Sequence, residues 1–253
     1  MIKELKKDKL LCRVYETRAE MGMAAAKDVR EKILEPLETE DELNIIFAAA
    51  PSQNEVLAGL VSMTDIPWNR INAFHMDEYI GLPCDAPQRF GTFLKNAIFD
   101  KVPFKNVYLI NSAAGADEEC RRYTELLKAH PVHIVCLGIG ENGHIAFNDP
   151  DVADFNDKEL IKVVGLDDIC RQQQVNDGCF ASFDDVPKTA LSLTIPALVS
   201  GAYMFCVVPA ATKANAVDNT VHGEITERCP ASILRTHDNA ILYCDPDSGK
   251  SLL

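Results

Sequence analysis

The sequence predicts an α/β protein: a single domain over residues 1–253, built on a doubly wound, mostly parallel sheet with helices on both faces, a Rossmann-like arrangement. Three observations carry this prediction. Apolar runs such as 43–50 (LNIIFAAA) and 133–137 (HIVCL) are continuous rather than alternating, as expected of strands buried on both faces. Stretches with helical apolar spacing separate such runs, and a β-α-β-α order predicts parallel strands joined by crossovers. The run at 133–137 also ends in Gly138-Ile139-Gly140 and a polar, turn-forming loop. Ligands bind outside the carboxyl ends of strands in sheets of this kind.

The elements follow in order. Thr17 and Glu20 form a capping-box pattern ahead of Met21, Ala25, Val29 and Ile33, which share one helical face, and Pro36 ends that helix. The strand at 43–50 runs into Pro51-Ser52-Gln53-Asn54-Glu55, where Ser52 and Glu55 suggest a second capping box. Val56, Leu57, Leu60 and Val61 then point inward from a second helix. The next apolar run, from Ile71, stops at the adjacent acids Asp77 and Glu78. Phe90, Phe93, Leu94, Ala97 and Ile98 give a helical face, and 107–110 a short strand. Residues 116–130 read as an amphipathic helix with Cys120, Tyr123 and Leu127 inward, its Glu118, Glu119, Arg121 and Arg122 forming a solvated face. Beyond Pro150, 162–164 reads as a short strand and Arg171-Gln172-Gln173-Gln174 as the start of a helix or lid. Runs at 189–195, 203–208 and 240–244 read as the remaining strands, and Lys213 sits at a strand-to-helix turn. No Gly-, Ser- or Pro-rich linker, repeat or low-complexity tract divides the chain.

Composition narrows the function. With 47% hydrophobic and 25% charged residues the chain has a globular balance. Its net charge of −13 disfavours nucleic acid and anionic membrane as partners. A small phosphorylated ligand stays compatible, because a distant field is screened within about 8–10 Å. The nine cysteines are odd in number and lack C-x-x-C spacing, and the N-terminus carries no hydrophobic signal core, so a reduced, cytoplasmic protein is expected. Nothing in the composition decides against a homo-oligomer. The six histidines show neither H-x-x-x-H nor H-E-x-x-H spacing, and Gly138-Ile139-Gly140 lacks a third glycine. Neither a metal nor a dinucleotide cofactor is expected.

Two stretches carry chemistry. Residues 71–83 (INAFHMDEYIGLP) end a strand in paired acids, and residues 133–150 (HIVCLGIGENGHIAFNDP) place His144 between Asn142 and Asp149 after another strand. A lone histidine in a loop is more often incidental than catalytic. Two strand ends bearing acid/base residues are the layout of a site assembled across a parallel sheet. Met76-Asp77-Glu78-Tyr79 with Gly81-Leu82-Pro83, together with 143–150 (GHIAFNDP), resembles the glucosamine-6-phosphate deaminase (isomerase) family, and the likeness extends more loosely over nearly the whole chain.

That resemblance implies isomerisation of an amino-sugar phosphate with release of ammonia. It implies that His144 is the acid/base of ring opening and Asp77 the base acting at carbon. Asp149 matches a glutamate that assists the histidine, and is about 1.5 Å shorter in reach. Asn142 matches a position that is aspartate in many members; an amide orients an imidazole without stabilising its charged form, so His144 is expected to be less basic than beside an aspartate. The resemblance places the sugar phosphate on the loop of Ser52, Gln53 and Asn54, at a helix N-terminus, together with Lys213. The family's loop is rich in glycine and threonine, unlike Ala-Ala-Pro-Ser-Gln-Asn here. Glu78 and Gly143, inside the two motifs, join the substrate-binding set. A substrate arginine of the family falls by spacing on Asn176 or Asp177, which leaves Arg171 as the nearby candidate. A hydrolase resembling 6-phosphogluconolactonases, and a sugar-phosphate-binding protein without turnover, are the alternatives. The first typically has an arginine after the acid pair and Gly-His-Thr-Ala-Ser in the second motif, which this chain lacks.

Overall fold

The computed structural model describes all 253 residues. The chain begins with a hairpin, β1 (Lys3–Lys7) and β2 (Leu10–Val14), and enters α1 (Arg18–Leu34). Then come β3 (Leu43–Phe47), α2 (Asn54–Ser62), β4 (Ile71–His75), β5 (Asp77–Tyr79), α3 (Phe90–Leu94) and β6 (Asn106–Tyr108). The second half holds α4 (Ala116–Ala129), β7 (Ile134–Leu137), β8 (Ile161–Gly165), α5 (Asp168–Asn176) and β9 (Thr189–Leu193). It closes with α6 (Ile195–Val199), β10 (Tyr203–Val208), α7 (Ala214–His222) and β11 (Ala240–Cys244).

Eight strands form the main sheet in the order β1-β2-β11-β10-β7-β3-β4-β6, all parallel except the β1–β2 pairing. From β3 the chain moves outward through β4 to β6, then returns to β7 on the other side of β3 and continues to β10. The order therefore reverses between β3 and β7, which opens a crevice at their carboxyl ends. The register aligns His75, Phe47, Cys136, Phe205, Ile241 and Leu11 in one row near that edge.

Continuous apolar strands become a two-faced sheet because successive side chains point to opposite sides. Ile45 and Phe47 pack with Val29, Val56 and Leu60 in one cluster, while Ile46, Val135 and Leu137 pack with Tyr123, Val217 and Val221 in the other. On the first face α1 and α2 approach closely. A Cβ on Gly22 would stand 2.3 Å from the Glu55 Cβ, so the absence of a side chain there sets the spacing of the two helices. No helix is long and apolar enough to cross a membrane.

Several local expectations change. The hairpin at 3–14 has no counterpart in the sequence reading, because β1 (KELKK) is charged and mostly exposed. Asp77 and Glu78 do not end a parallel strand: they open β5, which pairs antiparallel with β9 in a separate three-stranded sheet completed by β8. The run at 189–195 accordingly stands outside the main sheet, and Ile195 already begins α6. Thr17 caps α1 by accepting the Glu20 N–H, but the Ser52/Glu55 box does not form. A 3-10 turn at Pro51–Gln53 precedes α2, and Glu55 pairs with Arg18 instead. Glu119 is buried rather than solvated, accepting the Asn111 N–H and pairing with Arg122.

Candidate active site

A cleft of about 100 Å³ lies at the switch point, lined by the loops leaving β3, β7 and β10 and by β5. Asp77, His144, Ser52 and Lys213 all line it, from four separate stretches of chain. A larger hollow of about 360 Å³ lies near Lys6, Asp28 and Tyr203. Tyr203 begins β10, so that hollow faces the amino end of the strand, where parallel sheets do not build ligand sites.

His144 is held by a tight loop. The Gly140 N–H donates to the His144 carbonyl and the Gly143 N–H to the Gly140 carbonyl. The imidazole lies against Gly140, where a Cβ would come within 2.2 Å of the ring. Its Nδ1 stands 2.8 Å from Asp149 Oδ1, which leaves Nε2 as the ring nitrogen available to a ligand. Asp149 is itself almost fully buried. Burial alone would raise its carboxyl, but the hydrogen bond and charge of His144, the Asn142 amide and the Asp167 N–H hold it below the usual carboxylate range. The shorter aspartate still reaches, because the loop brings its backbone close enough.

Asn142 is placed differently from the expectation. Its amide nitrogen donates to Asp149 Oδ1 at 2.9 Å and to Asp167 Oδ2 at 2.7 Å, and its oxygen accepts the His144 N–H at 3.0 Å. It therefore positions Asp149 and the loop backbone, and reaches the imidazole only through Asp149.

Asp77 is 6% exposed. Burial and the neighbouring Glu78 charge push its carboxyl well above the ordinary range, with no hydrogen-bond donor to offset them. Such a group has the character of a carbon base, reluctant to stay ionised and ready to accept a proton. Lys213 closes the short turn before α7, is buried, and its Nζ has no hydrogen-bond partner. Burial lowers its pKa, against the opposing charges of Asp177 and Glu141. A buried ammonium without a partner marks a place for an anion.

Other residues of the expected set have different occupations. Glu78, next to Asp77 on a strand, points to the opposite side and accepts the N–H groups of Tyr79, Phe90 and Gly91, thereby capping α3. Gln53 is fully buried and braces the ends of β7 and β10, its amide donating to the Leu137 and Val207 carbonyls and to Ser52 Oγ. Asn54 is exposed at the start of α2 and does not line the cleft. Gly143 adopts φ +88 and packs against Cys229, also outside the cleft. Arg171 donates to the Phe183 and Val186 carbonyls and lies over the Phe183 ring, which turns it away. The same helix instead brings Gln173 and Gln174 to the cleft, and Asp177, which follows the helix, lines it too. Arg18 lines the cleft too, at the first position of α1. The capping pattern at Thr17 locates that position in the sequence, but not the α1–α2 packing that turns it toward β3.

His144, Asp149 and Cys170 bring ligand-type atoms within 4.8 Å of one another. A metal held through His144 Nδ1 would take the place of its 2.8 Å contact with Asp149 Oδ1.

The chain is similar to known proteins along most of its length. The family model described as glucosamine-6-phosphate isomerases/6-phosphogluconolactonase matches residues 16–243. A glucosamine-6-phosphate deaminase of Listeria welshimeri is 32% identical over 234 residues, covering 92% of this chain and 97% of its own. One of Bacillus cereus is 31% identical over 236 residues, covering 93% and 86% respectively. A monomeric glucosamine-6-phosphate deaminase of solved structure superposes with a TM-score of 0.85 at 27% identity, covering 94% of this chain and 98% of its own. The 6-phosphogluconolactonase of Thermotoga maritima shares the fold, with a TM-score of 0.76 at 20% identity over 94% of this chain and all of its own.

Proposed function

The chain belongs to the glucosamine-6-phosphate isomerase/6-phosphogluconolactonase family, and from that premise we propose that it converts glucosamine 6-phosphate and water to fructose 6-phosphate and ammonia. The observation that carries this reading is the pairing of two different groups in one cleft: a buried, donor-free carboxylate, Asp77, and an imidazole, His144, backed by Asp149. Lactone hydrolysis needs an activated water but no base at carbon. An amino-sugar isomerisation needs both groups.

In this reading Lys213 and Ser52 anchor the phosphate, setting C1 and C2 of the sugar against the acid/base groups. His144 Nε2 takes the C1 hydroxyl proton and returns one to the ring oxygen, opening the pyranose to the aldehyde. Asp149 steadies the imidazolium formed in between. Asp77 then removes the C2 proton while O1 takes a proton from the C2 ammonium, giving an enolamine, and Asp77 returns its proton to C1, giving the C2 iminium. Water adds at C2 and ammonia leaves, so the atoms balance without a cofactor. The cleft-lining Phe90 and Phe147 supply an apolar wall that keeps bulk water from the enolamine.

The test incubates the purified protein with glucosamine 6-phosphate and with 6-phosphogluconolactone in parallel, following ammonia and lactone loss. Ammonia release with fructose 6-phosphate formation is expected. Lactone loss without ammonia would assign the hydrolase reading, and saturable phosphate-sugar binding without either product would assign a binding protein.

A further inference from the structure

Two cations line the cleft, Lys213 and Arg18, and they enter it from different parts of the fold. We propose that Arg18 is the second cation of the phosphate subsite, gripping with Lys213 the phosphate of the sugar that the preceding reading assigns to this cleft.

Charge balance makes the first argument. A phosphate monoester carries close to two negative charges near neutral pH. Lys213 supplies one positive charge, and the acids Asp177 and Glu141 already act on it. Asp177 also lines the cleft. One ammonium facing that field is a poor match for a dianion, so a further positive group belongs beside it. Arg171, turned to backbone carbonyls, and Arg89, beside Glu78, both lie outside the cleft lining. Arg18 is the arginine that the cleft contains.

Preorganisation makes the second. Arg18 Nε donates to Glu55 Oε1 at 2.7 Å and Nη2 to the Pro51 carbonyl, while Nη1 makes no hydrogen bond within the protein. The guanidinium is thus fixed from one side and presents a free edge. It is anchored to Pro51, immediately before Ser52, whose Oγ accepts from Gln53 and keeps its own proton for a ligand. Helix packing holds this arrangement: Gly22 lets α1 settle on Glu55, one helical turn beyond Arg18. An arginine held in this way loses little freedom on binding, and its fork suits phosphate oxygens.

The experiment compares wild type, Arg18→Ala, Arg18→Gln and Arg18→Lys by three readouts: binding of inorganic phosphate, steady-state deamination of glucosamine 6-phosphate, and thermal midpoint. For Arg18→Ala, the phosphate Kd and the KM are expected to rise about tenfold or more, with a much smaller fall in kcat, and Arg18→Lys should recover part of the loss. Unchanged phosphate Kd and KM, with only a lower melting temperature, would reduce Arg18 to a helix-packing role and overturn the proposal. If Arg18→Ala fails to fold, Arg18→Gln, which can still donate to Pro51, decides by the same two constants. Loss of phosphate binding in a protein whose wild type releases no ammonia would leave Arg18 in the subsite and overturn the reaction. Normal phosphate binding by the variants of an active enzyme would do the reverse.

Discussion

Burial and the Glu78 charge both act against ionisation of Asp77, and the cleft offers no donor in return. A carboxyl whose pKa is raised on folding stabilises the protein fully below its unfolded pKa, about 3.9, and that contribution is lost as pH rises through the folded value. At pH above that window Asp77 is therefore a liability to the fold. Asp77→Asn should melt above wild type at pH 7.5, the gap closing toward pH 4, while ammonia release falls at least about 100-fold. A variant that keeps more than a tenth of wild-type turnover would remove Asp77 from the carbon chemistry. Asn142 makes the opposite case. Its amide nitrogen lies between Asp149 and Asp167, so Asn142→Asp would set three carboxylates together in place of two hydrogen bonds. A loss of about 1–3 kcal/mol is expected by urea unfolding near neutral pH, easing on acidification. A wild-type midpoint would show that the amide nitrogen does not face those acids.

At the level of elements, the turn after β10 matters most for ligand placement. Ala210 sits at φ 83, ψ 147, close to a region that glycine almost alone occupies. Its N–H donates to Asp245 Oδ2, which ties the turn to the loop after β11 and carries Lys213 into the cleft. Ala210→Gly should relieve this strain and raise stability by about 1 kcal/mol, roughly 2–4 °C in melting temperature for a chain of this size. A lower melting temperature would mean that the conformation costs alanine nothing here. The helix α5 shows where element-level reading from sequence stops. Its run of Arg171, Gln172, Gln173 and Gln174 has no apolar stripe to indicate which side faces inward. Packing turned Arg171 toward Val186 and Gln173 and Gln174 toward the cleft, and left Gln172 exposed.

Over the whole molecule, the main sheet and its neighbours enclose polar groups that answer differently to pH. His75, fully buried at the carboxyl end of β4, has no hydrogen-bond partner for either ring nitrogen. Burial, aided by the Arg89 charge, pushes its pKa from 6.5 down to about 3. A base with a lowered folded pKa takes up its proton more readily when unfolded, so stability is retained above pH 6.5 and lost as pH falls from there toward 3. His75→Met, close in volume, should flatten the decline of melting temperature across that window relative to wild type. Parallel curves for the two proteins would show that His75 is not the group responsible.

Local features of the sequence determined the alternation of buried strands and helices, and the two motifs that bear Asp77 and His144. Those features act through neighbours in the chain: apolar runs, turn residues and a capping threonine, each legible within a few positions. The separate antiparallel sheet was not legible, because β5 is three residues long and its partner β9 lies more than a hundred residues away. The division of labour around the cleft was equally hidden. Adjacent Asp77 and Glu78 look alike in sequence, yet strand geometry sends one to the cleft and the other to cap α3. Arg18 is an ordinary helix-start residue until α1 packs on α2 and turns it to face the β3 loop. Which side chains share a cleft depends on contacts between elements distant in the chain, and only the tertiary structure decides those.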